Sequence, residues 1–210
     1  MDNESITNQI INADCMDILK QLPDKCIDLV LTDPPYGLNI TNHKIGYAGN
    51  NNFDKKRWDI CIPSKKYFNE IFRVSKNQII FGGNYFGLKS RCFIVWDKGE
   101  GFYNRDFAEA ELAWTSFNKN TIIYKYDPLT KRDYVNKIHP TQKPLKLFEW
   151  CLQKFSNEND LILDCFSGSG TTAVAAYNLK RRFICIEKDY DYWKASVERL
   201  ENAQAQMRLF

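Results

Sequence analysis

The sequence predicts an α/β fold in which a mostly parallel sheet carries helices on both faces. Apolar stretches typical of buried strands alternate with amphipathic stretches typical of helices. One strand runs directly into Asp33-Pro34-Pro35-Tyr36, and another is followed by a glycine-rich loop and a helix. Polar motifs at strand ends are typical of open α/β sheets, which bind ligands at their carboxyl edge. With 44% hydrophobic content, the 210 residues are predicted to form one domain, 1–210.

Seven strands are predicted, and the first two belong to a βαβ unit. Because such a unit is parallel and right-handed, Asp14 and Asp33 should project from the same edge of the sheet. Strands four and five are separated by glycines and charged residues, so we expect them to form an antiparallel, hairpin-like edge. The predicted strands are 8–13, 27–32, 78–81, 93–96, 110–115, 161–164 and 183–186, and the predicted helices are 14–22, 63–76, 145–155, 172–179 and 190–203.

Two regions lack a clear hydrophobic period. Residues 37–60 are rich in Asn and Gly, and we interpret them as a mobile lid or substrate-contacting loop, with a tolerated insertion as the alternative. Residues 117–138 are left without predicted secondary structure. Cations cluster in and beside this segment among aromatic residues, which suits a phosphate backbone; a solvated positive face is the alternative.

The composition argues against several classes of protein. No apolar run is long enough for a membrane span, and the N-terminus lacks signal-peptide features, so we expect a soluble, cytoplasmic protein. The seven cysteines are not in C-x-x-C spacing and fit buried free thiols. With His43 and His139 as the only histidines, no metal site is predicted.

The Asp33-Pro34-Pro35-Tyr36 motif offers the groups needed to hold a planar, amino-bearing ring. Successive prolines donate no backbone N–H and fix φ at about −65°, so the turn is rigid and the Pro34 carbonyl is available as an acceptor. Asp33 adds a second acceptor, and Tyr36 adds a flat apolar face. An ordinary turn remains the alternative for the tetrapeptide alone.

A second motif, Gly168-x-Gly170-x-x-Ala173, lies between a predicted strand and a predicted helix, and Glu187 ends the next strand. The glycines allow close approach of the backbone, and a carboxylate at this spacing can hold ribose hydroxyls, so the motif predicts a nucleoside cofactor. A nicotinamide dehydrogenase would need further strands after Glu187, and a phosphate loop would need a Gly-Lys-Ser/Thr ending. The remaining strands therefore come from the N-terminal half, and the sheet is circularly permuted.

These motifs together resemble those of the S-adenosylmethionine-dependent amino-methyltransferases of DNA, in the permuted order called the β class. The resemblance spans nearly the whole chain. It implies a Rossmann-like methyltransferase fold, S-adenosylmethionine as the cofactor and DNA as the partner. The matching stretches, in the family's order, are 12–15, 33–36, 139–144, 164–172 and Glu187.

The resemblance also implies a role for each motif residue. Asp33 and the Pro34 carbonyl would accept hydrogen bonds from the target amino group, Pro35 would hold the turn, and Tyr36 would stack on the flipped base. The cofactor would be bound by Asp14 and Cys15 at its adenine, by Glu187 at its ribose, by Thr141, Gln142 and Lys143 at its carboxylate end, and by Asp164, Phe166, Ser167, Gly168, Ser169, Gly170, Thr171 and Thr172 around its methionine part.

The expected reaction is direct methyl transfer to an exocyclic amine. The lone pair of that nitrogen is delocalised into the ring, and two acceptors on its N–H groups favour a pyramidal, nucleophilic nitrogen. A cytosine-C5 enzyme would need a Pro-Cys nucleophile, which the sequence lacks. Asp33 as the first motif residue favours adenine N6. Cytosine N4 is the close alternative, and RNA or protein-glutamine methylation, or an inactive DNA-binding subunit, are more remote.

Two departures from the family pattern are visible. Cys165 occupies a position where Pro is common, and we expect no consequence. The segment available for reading DNA sequence, 117–138, is only 22 residues long. We therefore predict a short or relaxed recognition site, or help from a second subunit, either a homodimer partner or a separate specificity protein.

Overall fold

The computed structural model describes residues 3–38, 59–135 and 137–207, which form a layered α/β structure. A 3-10 turn at Asn3–Ile6 precedes the first strand. The strands are β1 (Gln9–Asn12), β2 (Ile27–Thr32), β3 (Ser75–Phe81), β4 (Phe93–Asp97), β5 (Ala110–Thr115), β6 (Ile122–Lys125), β7 (Leu161–Asp164) and β8 (Arg182–Glu187). The helices are α1 (Cys15–Leu19), α2 (Lys65–Val74), α3 (Leu145–Phe155), α4 (Thr171–Asn178) and α5 (Tyr190–Met207).

The described strands form one mixed sheet in the order β1-β8-β7-β2-β3-β5-β4-β6. Strands from both ends of the chain are neighbours, because β2 pairs in parallel with β7 and β1 pairs in parallel with β8. The C-terminal strands therefore lie between the two N-terminal strands, which confirms the permuted, mostly parallel sheet. The central strands β2 and β7 are almost fully buried, as expected where both faces are covered.

Two details of the predicted sheet are wrong. The sheet has eight described strands rather than seven, because Ile122–Lys125, in the segment left without structure, pairs in parallel with β4. The antiparallel strand β5 is not at an edge, since it is bonded to β3 on one side and to β4 on the other. The hairpin of β4 and β5 is confirmed, but β6 covers its outer side.

Helices pack on both faces of the sheet, as predicted. The alternation along β2 shows the two faces, since Leu29 and Leu31 contribute to one apolar cluster and Val30 to the other. The first cluster includes apolar residues of α3, α4 and α5, and the second includes those of α1 and α2. In the described part of the chain, no helix combines the length and the hydropathy needed to cross a membrane.

The regions flanking the predicted loop 37–60 are close together. Its residues 39–58 lie outside the described part of the chain, so the interpretation as a lid stays a prediction. The amide of Gly37 donates to the carboxylate of Asp59 over 2.9 Å, and Asp59 is buried. This bond joins the two described ends of the loop beside the Asp33 motif.

Candidate active site

The carboxyl edge of the sheet opens into a cavity of about 430 Å³. Parallel strands direct their carboxyl ends to one side, so residues far apart in sequence meet there: Asp14 after β1, Asp33 after β2, Asp164 at the end of β7 and Glu187 at the end of β8. The predicted site residues that line the cavity are Asp14, Cys15, Asp33, Pro35, Thr141, Gln142, Lys143, Asp164, Phe166, Ser167, Gly168, Ser169, Thr171 and Glu187. Those that do not line it are Pro34, Tyr36, Gly170 and Thr172.

The glycine-rich loop closes one side of the cavity through unusual backbone conformations. Gly168 has φ +51° and Gly170 has φ +71°, values that favour glycine. A side chain at Gly170 would also meet the Cβ of Ser196 on α5 at 2.9 Å. Gly170 precedes α4 directly, so the loop leads from the end of β7 to the beginning of that helix.

Glu187 is fixed in the cavity by the same loop. Its Oε2 accepts from the amide of Gly168 over 2.7 Å, and its Oε1 accepts from the amide of Asp189 over 2.8 Å. Burial raises the pKa of Glu187 above its ordinary value, while these amide hydrogen bonds oppose the shift. The carboxylate is thus oriented by backbone groups and retains acceptor capacity toward the cavity.

Asp164 serves the framework of the site. Its carboxylate accepts from the hydroxyl of Thr32 at 2.7 Å, from the hydroxyl of Thr172 at 2.5 Å and from the amide of Phe166 at 3.1 Å. Burial raises its pKa to about 6. It therefore ties β7 to β2, to α4 and to the first residue of the glycine-rich segment.

Asp14 begins helix α1 at the opposite side of the cavity. Its side chain accepts from the amide of Met16 over 3.0 Å, as an N-cap does, and from the ammonium of Lys188 over 2.9 Å. The hydroxyl of Tyr67, from α2, lies 3.3 Å away. Partial burial opposes ionisation, but the contacts with Lys188 and Met16 lower the pKa of Asp14.

Asp33 lies in a buried cluster of charged side chains. Its Oδ2 accepts from the ammonium of Lys143 at 2.5 Å, and its Oδ1 accepts from the hydroxyl of Tyr36 at 2.6 Å. The ammonium of Lys143 is also 3.1 Å from Glu111 on β5, and Lys98, just past β4, is 2.7 Å from the other oxygen of Glu111. Burial raises the pKa of Asp33, and the charge of Lys143 opposes that shift.

The ring of Tyr36 packs in an aromatic group beside this cluster. It stacks on Tyr85 with centroids 5.1 Å apart and 21° between planes, and Phe86 contacts it edge-on at 6.2 Å. Gly82, with φ +68°, leaves room for the ring, since a Cβ there would lie 2.1 Å from its Cε1. Tyr36 therefore has its ring stacked on Tyr85 while its hydroxyl contacts Asp33.

Comparison with known proteins identifies the family. The model of the N6/N4 methyltransferase family, described as DNA methylase, matches residues 27–198, which is most of the chain and includes the Asp33 motif, Lys143, the glycine-rich loop and Glu187. This chain belongs to that family of DNA methylases.

Relatives agree with this assignment over nearly their full lengths. The type II methyltransferase M2.DpnII of Streptococcus pneumoniae is 30% identical over 241 residues, covering 91% of this chain and 89% of that protein. The crystal structure of the M1.HpyAVI–SAM complex superposes with a TM-score of 0.61 at 25% identity, over 91% of this methylase and 99% of that chain. The PvuII DNA methyltransferase, which is cytosine-N4-specific, shares the fold with a TM-score of 0.58 at 17% identity, over 94% and 91% of the two chains.

Sequence reasoning missed several residues of this methylase's candidate site. Glu111 and Lys98 belong to the Asp33 cluster, Tyr67 contacts Asp14, and Tyr85 stacks on Tyr36. One signal for Glu111 was present, since a carboxylate inside an apolar strand needs a buried cation. Lys143 was expected at the cofactor, but its ammonium contacts Asp33 and Glu111.

Proposed function

We propose that this DNA methylase transfers a methyl group from S-adenosylmethionine to N6 of an adenine flipped out of DNA. One observation carries the proposal: the Asp33 carboxylate lines the same cavity as the glycine-rich loop and Glu187. An acceptor for the target amine and a site for a nucleoside cofactor are therefore adjacent. The family membership supplies the class of reaction, methylation of an amino group in DNA.

The residues of the cavity fit the cofactor, S-adenosylmethionine, which M1.HpyAVI binds in its crystal structure. A volume of about 430 Å³ is within the usual range for a small-molecule site, roughly 300–1,000 Å³. Gly168 and Gly170 allow close approach of the backbone, and Glu187 retains acceptor capacity for a ribose. When bound, the cofactor supplies an electrophilic methyl group on a sulfonium.

The cofactor contacts that we propose are those that the sequence motifs predict. Glu187 would bind the ribose, and the segment 166–172 would surround the methionine part. Asp14, whose carboxylate already caps α1 and pairs with Lys188, would receive the adenine together with the backbone of Cys15. Thr141 and Gln142 would lie toward the carboxylate end.

The protein's part in the chemistry is to orient the amine and to exclude water. Asp33 and the Pro34 carbonyl would accept hydrogen bonds from the two amine N–H groups, which turns the nitrogen lone pair away from the ring and toward the methyl group. As the N–C bond forms and the S–C bond breaks, the nitrogen would release one of these two protons. Tyr36 would stack on the base. Because the acceptors are buried and fixed before the base arrives, little reorganisation is needed during the transfer.

Replacement of the acceptor tests this mechanism. We expect Asp33→Asn to lower kcat for methyl incorporation from labelled S-adenosylmethionine into unmethylated DNA about 10²-fold or more, since a positioned acceptor is lost. Binding of S-adenosylmethionine, measured by calorimetry, should change little. Asp106→Asn, which alters an exposed carboxylate between β4 and β5, is the matched control and should leave kcat unchanged. Full activity of Asp33→Asn would contradict the mechanism.

The identity of the base needs a separate measurement. Asp33 as the first motif residue supports adenine, and cytosine N4 is the second candidate. DNA from cells that express the methylase should yield N6-methyladenine when digested to nucleosides and analysed by mass spectrometry. N4-methylcytosine alone would overturn the adenine assignment while leaving the amino-methyltransferase class intact. Long-read sequencing of the same DNA would give the sequence context.

A further inference from the structure

The ammonium of Lys143 lies between two buried carboxylates. It is 2.5 Å from Asp33 Oδ2 and 3.1 Å from Glu111 Oε2, and the three side chains are 7%, 16% and 20% exposed, respectively. Lys143 precedes α3, Asp33 follows β2 and Glu111 is on β5. The cluster therefore links three separate elements through one cation.

This arrangement means that the proposed acceptor of the target amine is already in use. Lys143 donates to one oxygen of Asp33, and the hydroxyl of Tyr36 donates to the other. An incoming amine would need a position next to the same oxygens. Because each oxygen of Asp33 already has a donor, the incoming amine and the ammonium of Lys143 compete for the same carboxylate.

We propose that Lys143 is a resident counter-ion of Asp33 that the target amino group displaces, and that Glu111 is the positioning residue that receives the displaced ammonium. The inference rests on the proposed function, because it names what the Asp33 site exchanges when the base enters. Hydrogen bonds are exchanged and no proton is transferred. In the free protein, the charge of Lys143 opposes the effect of burial and favours the ionised form of Asp33.

Glu111 lowers the free energy needed to displace the ammonium from Asp33. A buried ammonium left without an anion would be strongly destabilised, but Lys143 is already within ion-pair distance of Glu111, so a small shift suffices. On its far side, Glu111 is bonded to Lys98 at 2.7 Å, which fixes the carboxylate in place. The net charge of the cluster, formed by Asp33, Glu111, Lys98 and Lys143, is therefore the same before and after the exchange.

The charges around Asp33 give its ion pair with Lys143 a pH signature. Without Lys143, burial and the negative charge of Glu111 would both favour the protonated carboxyl, which is a poorer acceptor. Without Glu111, the ammonium would have Asp33 as its nearest anion and would leave it less readily. Four ionisable groups face Asp33 or influence its titration directly: Tyr36 in its own motif, Glu111 on β5, Lys143 before α3 and Asp164 at the end of β7. Two further ammonium groups influence Asp33 only through Glu111 and Lys143: Lys98, past β4, and Lys137.

The first test titrates Asp33 without any substrate. Aspartate labelled with ¹³C at the carboxyl carbon is followed by NMR in the full chain, and the Asp33 signal is identified by its loss in Asp33→Asn. We expect Lys143→Met to raise the midpoint by about 1–3 pH units. Lys146→Met, which removes an exposed cation paired with Glu149 three residues further on, should leave it unchanged. An unchanged midpoint in Lys143→Met would overturn the proposal.

The second test measures kcat/KM for DNA methylation as a function of pH, at saturating S-adenosylmethionine. The acid limb is the fall of kcat/KM at low pH, and we expect its midpoint to move to higher pH in Lys143→Met. Glu111→Gln should lower kcat/KM about tenfold at neutral pH without such a shift, because the ammonium stays on Asp33. Since loss of one member of a buried pair is destabilising, the charge-balanced double variant Glu111→Gln/Lys143→Met provides a folded comparison, with its limb between those of the single variants. A double variant no more active than Glu111→Gln at pH 9 would contradict the exchange.

The outcomes separate this inference from the proposed function. A wild-type protein that transfers no methyl group to DNA would refute the proposed function, while the NMR titration would still decide the pairing of Lys143 with Asp33. An active wild type whose acid limb is the same in Lys143→Met would refute the exchange alone. An elevated NMR midpoint together with a shifted acid limb would support both.

Discussion

Among single residues, Gly82 has the most direct control over the candidate catalytic motif. It begins the turn that follows β3, with φ +68°, and a Cβ there would lie 2.1 Å from Cε1 and 2.7 Å from Cζ of Tyr36. The ring position that allows the hydroxyl of Tyr36 to reach Asp33, and the face to stack on Tyr85, therefore depends on the missing side chain.

Two glycines of similar conformation allow this effect to be isolated. Gly82 and Gly87 have φ +68° and +67°, but a Cβ at Gly87 would meet nothing within 4 Å. Both Gly→Ala variants should lose about 1–2 kcal/mol of unfolding free energy from backbone strain. Only Gly82→Ala should also displace Tyr36, so we expect its kcat/KM for DNA to fall at least about tenfold below that of Gly87→Ala.

Urea denaturation and steady-state methylation assays of both variants check this prediction. Equal activities at equal stability would show that the position of the Tyr36 ring is unimportant. If Gly82→Ala instead lost activity only in proportion to its unfolded fraction, backbone strain would account for the whole effect.

Residues with a local sequence signature could be predicted, and residues defined by long-range packing could not. Asp33, Gly168 and Glu187 follow strands in recognisable motifs, so their shared edge followed from parallel topology alone. Glu111 contacts Lys143 across 32 positions of sequence, and no local pattern around either residue indicates that contact. The contacts of the Lys143 ammonium with Asp33 and Glu111 are of the same long-range kind, and its role at the cofactor stays a prediction.

At the level of the elements, strand existence was easier to predict than strand order. Each strand with a run of apolar residues was found, often to within a residue or two. The exposed strand β6 was missed because it lacks a buried run: Ile123 is 70% exposed and Lys125 points to solvent. Its parallel pairing with β4 also makes β5 an interior strand, which no local pattern in the hairpin indicates.

Asp164 joins three elements at the candidate site, and its ionisation should be visible in stability. Burial raises its pKa from 3.8 to about 6, so the folded state disfavours the charged form. A carboxyl with a raised folded pKa makes the protein less stable as pH rises from its unfolded value through its folded value. The contribution of Asp164 to the free energy of unfolding should therefore fall by about 3 kcal/mol between pH 4 and pH 7.

Asp164→Asn tests the sign of that contribution. The variant cannot ionise at this position, so the stability of the wild type relative to the variant should decrease between pH 4 and pH 7 by about the amount given above. Urea denaturation at intervals of half a pH unit would measure the difference. A relative stability that is constant, or that increases with pH, would mean that the hydroxyls of Thr32 and Thr172 outweigh burial.

For the whole molecule, the distribution of charge differs from what the sequence indicated. The cations in and beside the segment 117–138 were predicted to suit a phosphate backbone, with a solvated positive face as the alternative, yet Lys137 and Lys143 are buried. Burial and the nearby charges of Lys143 and Lys98 lower the pKa of Lys137 to about 7. The exposed cations that remain are Lys119, Lys125, Lys131, Arg132 and Lys146.

Lys131 and Arg132 lie in the segment 117–138, for which a role in DNA contact stays a prediction. If they contact phosphates, Lys131→Gln/Arg132→Gln should weaken binding to DNA of any sequence, and the slope of log K against log salt should fall by about 0.9 per lost contact. Lys20→Gln/Lys194→Gln is the matched control, because both lysines are exposed and lie outside this segment, after α1 and on α5. Fluorescence anisotropy with a labelled duplex between 50 and 200 mM salt, roughly the range in which such slopes are measured, compares the two. An equal slope in both double variants would place the phosphate contacts elsewhere on the methylase.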